Sequence, residues 1–192
     1  MTNLTPAEML HFTDDPDANR LLASDPLALL IGFALDQQVT VQKAFSGPAE
    51  LRRRIGHLDP ARIAAMPPNA LGEVFRRRPA LHRFPGAMAT RVQALCARIV
   101  SEYGGDAARV WTAARDGADL QKRLLGLPSI GDMKVRSILA ILGKRLALQL
   151  PGLDAVMPSH PTLGDVDSAE ALERYQASKR AWKAAARVAE GR

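Results

Sequence analysis

Residues 120–142 read LQKRLLGLPSIGDMKVRSILAIL, and this stretch sets the expected architecture. Leu120, Leu124 and Leu125 recur at the spacing of one helix face before the turn, and Val135, Ile138, Leu139 and Leu142 do so after it. Between them, Leu127-Pro128-Ser129-Ile130-Gly131 stops both helices. Pro128 makes the turn rigid, and Gly131 lets the backbone approach a ligand closely. Two amphipathic helices on so tight a turn form an αα-hairpin over 118–142. The second helix, starting at Asp132, aims its free N–H groups and the positive end of its dipole at the turn, where phosphate is a natural occupant. Lys134 and Arg136 would add positive charge to that face. An αα-hairpin with no ligand is the alternative reading of these residues.

Outward from the hairpin, the chain is punctuated as a series of short helices. Asp15-Pro16, Asp25-Pro26 and Asp59-Pro60 each offer an N-cap carboxylate followed by proline at the first helical position. LALLIGFALDQQV, from Leu27, is apolar almost all round and predicts a helix buried in the middle of the fold. Shorter segments follow at Ala49–Ile55, Ala61–Met66 and Ala70–Arg78. AMATRVQALCARIVSEY is the clearest helix, with Met88, Val92, Leu95, Cys96, Ile99, Val100 and Tyr103 on one face, and Gly104-Gly105 ends it. Helices around Ala107–Ala114 and Ala118–Leu125 lead into the hairpin. Leu146–Gly164 is the least regular part. Asp167-Ser168-Ala169-Glu170 reads as a capping box heading a last helix that ends near Val188. No sustained strand-type alternation and no repeat occurs, so the expected fold class is all-α.

The composition fits one globular unit: 192 residues, 47% hydrophobic and 24% charged. Twenty-six Lys+Arg against 20 Asp+Glu leave a formal charge of +6, which favours a polyanionic partner. A single Cys excludes a disulfide framework and any iron–sulfur or zinc site needing several thiolates. No basic residue precedes Arg20, as a signal peptide would need, and the most apolar stretch, Leu27–Leu35, is far below the roughly 20 residues that cross a bilayer. The expectation is a soluble, cytoplasmic monomer without a membrane partner. His11, His57, His82 and His160 show no metal-ligand spacing. Trp111, Trp182 and Cys96 read as core. Among the basic clusters, Arg52–Arg54 and the last helix (Lys179, Arg180, Lys183) read as solvated surface, Lys144-Arg145 follows the hairpin, and Arg76–Arg78 with His82-Arg83 has the better claim to a nucleic-acid strand.

Leu127, Pro128, Ile130 and Gly131 resemble the helix-hairpin-helix motif, with Ser129 in place of its first glycine. Two further segments extend the likeness. LHRFPGAMATRVQALCARIVSEYGGD is similar to the helix that leads into the hairpin in HhH-GPD superfamily DNA glycosylases of the endonuclease III type, with Gly86, Arg91 and Val92 at the matching places. ALLIGFALDQQVTVQKAF resembles their glutamine-bearing helix and turn, with Gln38 at the glutamine, followed by Thr40, Lys43 and Ala44. DQQV, HRFPG and the GKR after the hairpin look more narrowly like a small, mostly actinobacterial HhH-GPD branch.

The resemblance implies a two-lobed fold: a central lobe at 25–143, and a second from 1–24 plus 144–192. It implies excision of a damaged or mismatched base from double-stranded DNA by hydrolysis of the N-glycosidic bond. Gln38, with Gln37 as fallback, would plug the hole left by the extruded base. Leu127, Ser129, Gly131, Lys134, Arg136 and Arg83 would contact DNA. The slot of the family's nucleophilic lysine holds Met133. Lys134 is one residue on, about 100° round the helix, where it should contact phosphate or face solvent. A monofunctional enzyme is therefore expected, with a lyase using Lys134 as the weaker reading. The family's aspartate falls on Asp167, in Val166-Asp167-Ser168, with Asp165 and Asp154 as fallbacks. Asp167 read without the family is simply a helix N-cap. No iron–sulfur cluster and no required cofactor are expected, while the family's hairpin carbonyls imply a monovalent cation. A non-catalytic protein binding distorted DNA is the rival reading.

Overall fold

The computed structural model describes residues 5–190, with side chains as far as residue 181. Among these residues there are eleven α-helices, one 3-10 turn and no strand, so the fold is all-α. Asp15, Asp25 and Asp59 cap α1 (Pro16–Ser24), α2 (Pro26–Leu35) and α4 (Pro60–Ala65), each accepting a backbone N–H of the first turn, with proline at the head of each helix.

The apolar run of α2 is buried at every position from Leu27 to Leu35. It lies against α1, against α3 (Val41–Ile55) and against α6 (Pro85–Tyr103). Phe45 of α3 stands edge-on to both Phe12 and Phe33, with ring centroids 5.0 Å apart in each pair. That approach needs Gly32, where a Cβ would fall 2.5 Å from the Phe45 ring. α6 also packs on α4 and on α5 (Pro68–Arg76), burying Met88, Val92, Leu95, Cys96, Ile99 and Tyr103. Burial pushes the Cys96 thiol up to about 12, so the thiol is inert, and Trp111 is core as expected. α8 (Gly117–Leu125), α9 (Asp132–Lys144), α10 (Leu153–Val156) and the 3-10 turn at Leu163–Asp165 form the remaining cluster. Gly164 seats that turn on α9, since a Cβ there would lie 2.5 Å from the Ala140 Cβ. Four-residue α7 (Arg109–Thr112) joins α6 to α8, and α11 (Ala169–Glu190) closes the described chain.

Several helix expectations shift. α2 stops at Leu35 instead of running through Val39, because Asp36 takes the C-cap and the chain turns at Gln37-Gln38. Ala49–Ile55 is the tail of the longer α3, and the helix expected over 107–114 shrinks to α7. Val100 and Leu125 leave their apolar faces and are 36% and 47% exposed. Leu146–Gly164 is not wholly irregular, since it contains α10 and the start of the 3-10 turn. α11 is capped by Ser168, whose Oγ accepts the Ala171 N–H at 3.1 Å, so Asp167 lies one residue ahead of the cap. The capping box of this region is formed instead by Thr162 and Asp165. The side chains of Trp182 and Lys183 lie outside the described residues.

Arg54 corrects the reading of 52–54 as solvated surface. Its side chain is 2% exposed, pairs with Glu50, and donates to the carbonyls of Val74, Arg77 and Pro79 at 2.6, 3.0 and 2.6 Å. The guanidinium fork thereby fixes the end of α5 to α3. Among the described residues no single helix is long and apolar enough to cross a membrane.

Candidate functional site

One wall of the site is the turn between α2 and α3. Gln38 is exposed at its tip with φ 55, a left-handed backbone that non-glycine residues adopt at a cost of order 1 kcal/mol or more. The turn is fastened from behind. Gln37 N–H donates to Leu35 O at 2.7 Å, and the Arg91 guanidinium of α6 donates to Gln37 Oε1. His82 is 1% exposed and bridges two loops. Its Nδ1 accepts the Phe84 N–H at 3.0 Å, so the ring proton sits on Nε2, which donates to Gln37 O at 3.0 Å. Burial lowers the His82 pKa and keeps the imidazole neutral, the state this bridge requires. His82 is thus a structural clamp instead of a strand contact. Lys43 is structural too, donating to Ala80 O at 2.7 Å.

The hairpin forms the opposite wall. Leu127 and Ile130 are buried and anchor it, and Ile130 N–H closes the turn on Leu127 O at 3.3 Å. The left-handed residue is Ser129, with φ 66, so serine occupies the position where glycine's freedom matters. Gly131 has an ordinary φ of −92, and a Cβ there would meet nothing within 4 Å. Its contribution is an uncovered backbone at the head of α9.

On α9 the side chains divide. Met133 is 66% exposed, and Arg136 is exposed and paired with Asp132 at 2.9 Å. Lys134 does not face open solvent. It is half-buried, and its Nζ donates to Ser129 O at 3.0 Å. Burial lowers its pKa; the Asp36 carboxylate opposes that shift and Arg91 adds to it.

The two walls enclose an open cleft of about 450 Å³ lined by Asp36, Gln37 and Arg91 on one side and Ser129, Ile130, Gly131 and Lys134 on the other. Segments far apart in the chain therefore meet at one groove carrying two cations, a carboxylate, an amide and a helix N-terminus. A larger concavity of about 560 Å³ lies on α5, lined by Arg76, paired with Glu73, and by Arg77; it has no amide side chain in its lining and is built from one segment of the chain.

Of the sequence candidates, Gln37, Ser129, Gly131 and Lys134 line the cleft, whereas Gln38, Leu127, Met133, Arg136 and the remaining ones do not. Asp165 is bound to Lys144 at 2.5 Å and accepts the Thr162 N–H at 2.8 Å. Asp154 is exposed on α10, and Asp167 is exposed just before α11. Arg83 is exposed with its guanidinium 4.8 Å from the Phe84 ring centroid. α11 is tied to α3 by a reciprocal amide pair, Gln42 with Gln176. Half-buried Tyr175 beside that pair has its pKa raised by burial, then by Asp36 and Asp165. Sequence reasoning missed Asp36. The available signal was its place directly before Gln37-Gln38. Among the described residues no group of three or more His, Cys, Asp or Glu could hold a metal ion.

No family model matches this chain, and no curated protein matches it.

Proposed function

We propose that this protein is a monofunctional DNA glycosylase of the HhH-GPD type, hydrolysing the N-glycosidic bond of a damaged or mismatched base in duplex DNA. The observation that carries the reading is the cleft, where the Gln37-Gln38 turn and the Leu127–Gly131 hairpin face each other although about ninety residues separate them. In this reading the lobe at 25–143 supplies both walls, and 1–24 with 144–192 forms the second lobe. Phosphate lies on the α9 N-terminus beside Gly131 and Lys134, with Arg136 and Arg83 further along the strand. Gln38, exposed on a turn held rigid behind it, enters the duplex when the base leaves the stack. Of the three aspartates suggested by the sequence, Asp167 and Asp154 are exposed, whereas Asp165 is engaged by Lys144 and Thr162.

Two features support hydrolysis without strand cleavage. The lysine slot carries Met133, and the Lys134 amine is held on the hairpin's own carbonyl. Its lowered pKa and its place in the cleft favour the lyase as second reading, because a neutral amine is the nucleophile that forms an imine. A binder of distorted DNA without catalysis is the rival from another class. A monovalent cation on the hairpin carbonyls belongs to the same proposal. Ser129 O already takes the Lys134 amine, so such an ion falls to the neighbouring carbonyls.

Gln38→Ala tests the plug. Excision from paired duplex is expected to fall by about tenfold or more, with a smaller loss on single-stranded substrate, because only the duplex leaves a hole to fill. Single-turnover rates on the two substrates measure this, and equal losses would make Gln38 a structural residue.

A further inference from the structure

Among the described residues, α11 is held to the body at its start. Ala171 and Leu172 are buried, and Gln176 exchanges amide hydrogen bonds with Gln42 on the first turn of α3, which follows the Gln37-Gln38 turn. Tyr175 has its pKa raised by burial and then by the Asp36 charge, so this part of α11 stands near the Asp36 wall of the cleft. From Ala177 to Ala181 all five residues are exposed, more than the 3.6 of one turn, so no side of the helix is covered there. The helix leaves the body beside the cleft and continues to Glu190.

The charge of this segment is one-sided. From Arg174 to Ala189 the sequence holds five cations (Arg174, Lys179, Arg180, Lys183, Arg187) and no carboxylate, which is +5 of the chain's formal +6. Lys183 and Arg187 follow Lys179 at the four-residue spacing of one helix face. Elsewhere helix arginines have a carboxylate one turn away, as Arg53 has Glu50, Arg98 has Glu102 and Arg136 has Asp132. Lys179 instead lies over the Tyr175 ring, 5.7 Å from its centroid, and Arg180 has no Asp or Glu three or four residues away. The large apolar residues from Ala177 to Ala189 are Trp182 and Val188, too few for the apolar face that seats a helix in a membrane.

Resting on the glycosylase reading, we propose that α11 from Ala177 onward is a second contact on duplex DNA, an arm that lays its cations along the phosphate backbone outside the base pairs at the cleft. Its root at Gln176 is tied to the element that carries the plug turn, so a duplex seated at the cleft passes the arm. Each phosphate it neutralises releases a counterion, and the gain is the same for every sequence. The arm thus holds the chain on undamaged DNA, while the cleft meets the base.

The test compares two variants of equal formal charge on an undamaged duplex across a salt series. The arm variant carries Lys179→Ala, Arg180→Ala, Lys183→Ala and Arg187→Ala, and alanine keeps the helix because no residue favours one more. The control carries Arg20→Ala, Arg53→Ala, Arg98→Ala and Arg109→Ala, four exposed arginines paired with carboxylates on other elements. The arm variant is expected to bind about tenfold or more weakly at low salt, with a log-affinity slope against log salt shallower by about two to four contacts. The control should stay within about threefold of the wild type, because charges more than roughly 10 Å from a phosphate are screened. Equal losses in both variants would overturn the inference, since net charge alone would then account for the binding. Unchanged duplex affinity in the arm variant would overturn it too, and retention of the wild type but not the arm variant on anionic lipid vesicles would then make a membrane surface the partner. Either result leaves the glycosylase reading standing, because excision at the cleft and the loss of binding expected of Gly131→Val do not pass through α11.

Discussion

Phe45→Ala is expected to lower the unfolding free energy by about 3–5 kcal/mol. The ring is fully buried, stands edge-on to Phe12 and Phe33 at 5.0 Å, and fills the notch left by Gly32. Deletion removes the apolar transfer term and two ring pairs, and it leaves a cavity between α2 and α3 that rigid neighbours close only in part. For a chain of this size the melting temperature should fall by roughly 6–20 °C. Phe84→Ala is the control. With 41% of its surface exposed, that ring should contribute within about 0.5 kcal/mol. Urea unfolding of the two variants beside the wild type measures both, and a Phe45→Ala variant as stable as Phe84→Ala would contradict the core described here.

Gly131→Val should have the opposite profile, with the fold kept and the ligand lost. Its φ of −92 suits any residue, and a Cβ there meets nothing within 4 Å, so the melting temperature should stay near that of the wild type. The added branches cover the N–H groups at the head of α9, where the proposed phosphate sits. Affinity for duplex should fall by about tenfold or more for every sequence alike, because phosphate contacts position DNA without reading it. The dependence of log affinity on log salt should become shallower by about one contact. Anisotropy titrations across a salt series test both. Unchanged affinity and slope would remove the hairpin from the DNA interface.

Much of the fold was legible where one local signal sufficed. The three Asp-Pro starts cap as expected, and the unbroken apolar run of α2 lies at the centre of the core, because proline geometry and hydrophobic burial act within a few residues. Legibility failed where a distant partner decided the outcome. Arg54 reads as one of three exposed arginines until α5 supplies three carbonyls to it. His82 reads as a basic neighbour of Arg83, yet the Gln37 carbonyl and the Phe84 amide draw it inside. At the hairpin, periodicity identified both helices and the turn. The positive φ falls on Ser129 and not on a glycine, which composition does not reveal. Lys134 was expected on a solvated face or at a phosphate, by a rotation of about 100° from Met133. That rotation carries it onto Ser129 O and into the cleft, while Met133 faces solvent. Asp36 was hidden because a carboxylate ending a helix is ordinary in sequence, and only the fold sets it opposite α9.

Hydrolysis of a glycosidic bond in this cleft, as proposed, can be measured on a panel of duplexes, each carrying one damaged or mismatched base and an end label. One class of lesion is expected to be excised, with the labelled strand intact until alkali breaks it at the abasic site. Borohydride should trap no covalent complex, and Lys134→Ala should keep substantial excision. A borohydride adduct that disappears in Lys134→Ala would contradict the monofunctional reading and make Lys134 the nucleophile. Binding to the duplexes with no excision across the panel would contradict catalysis altogether and leave a protein that holds distorted DNA.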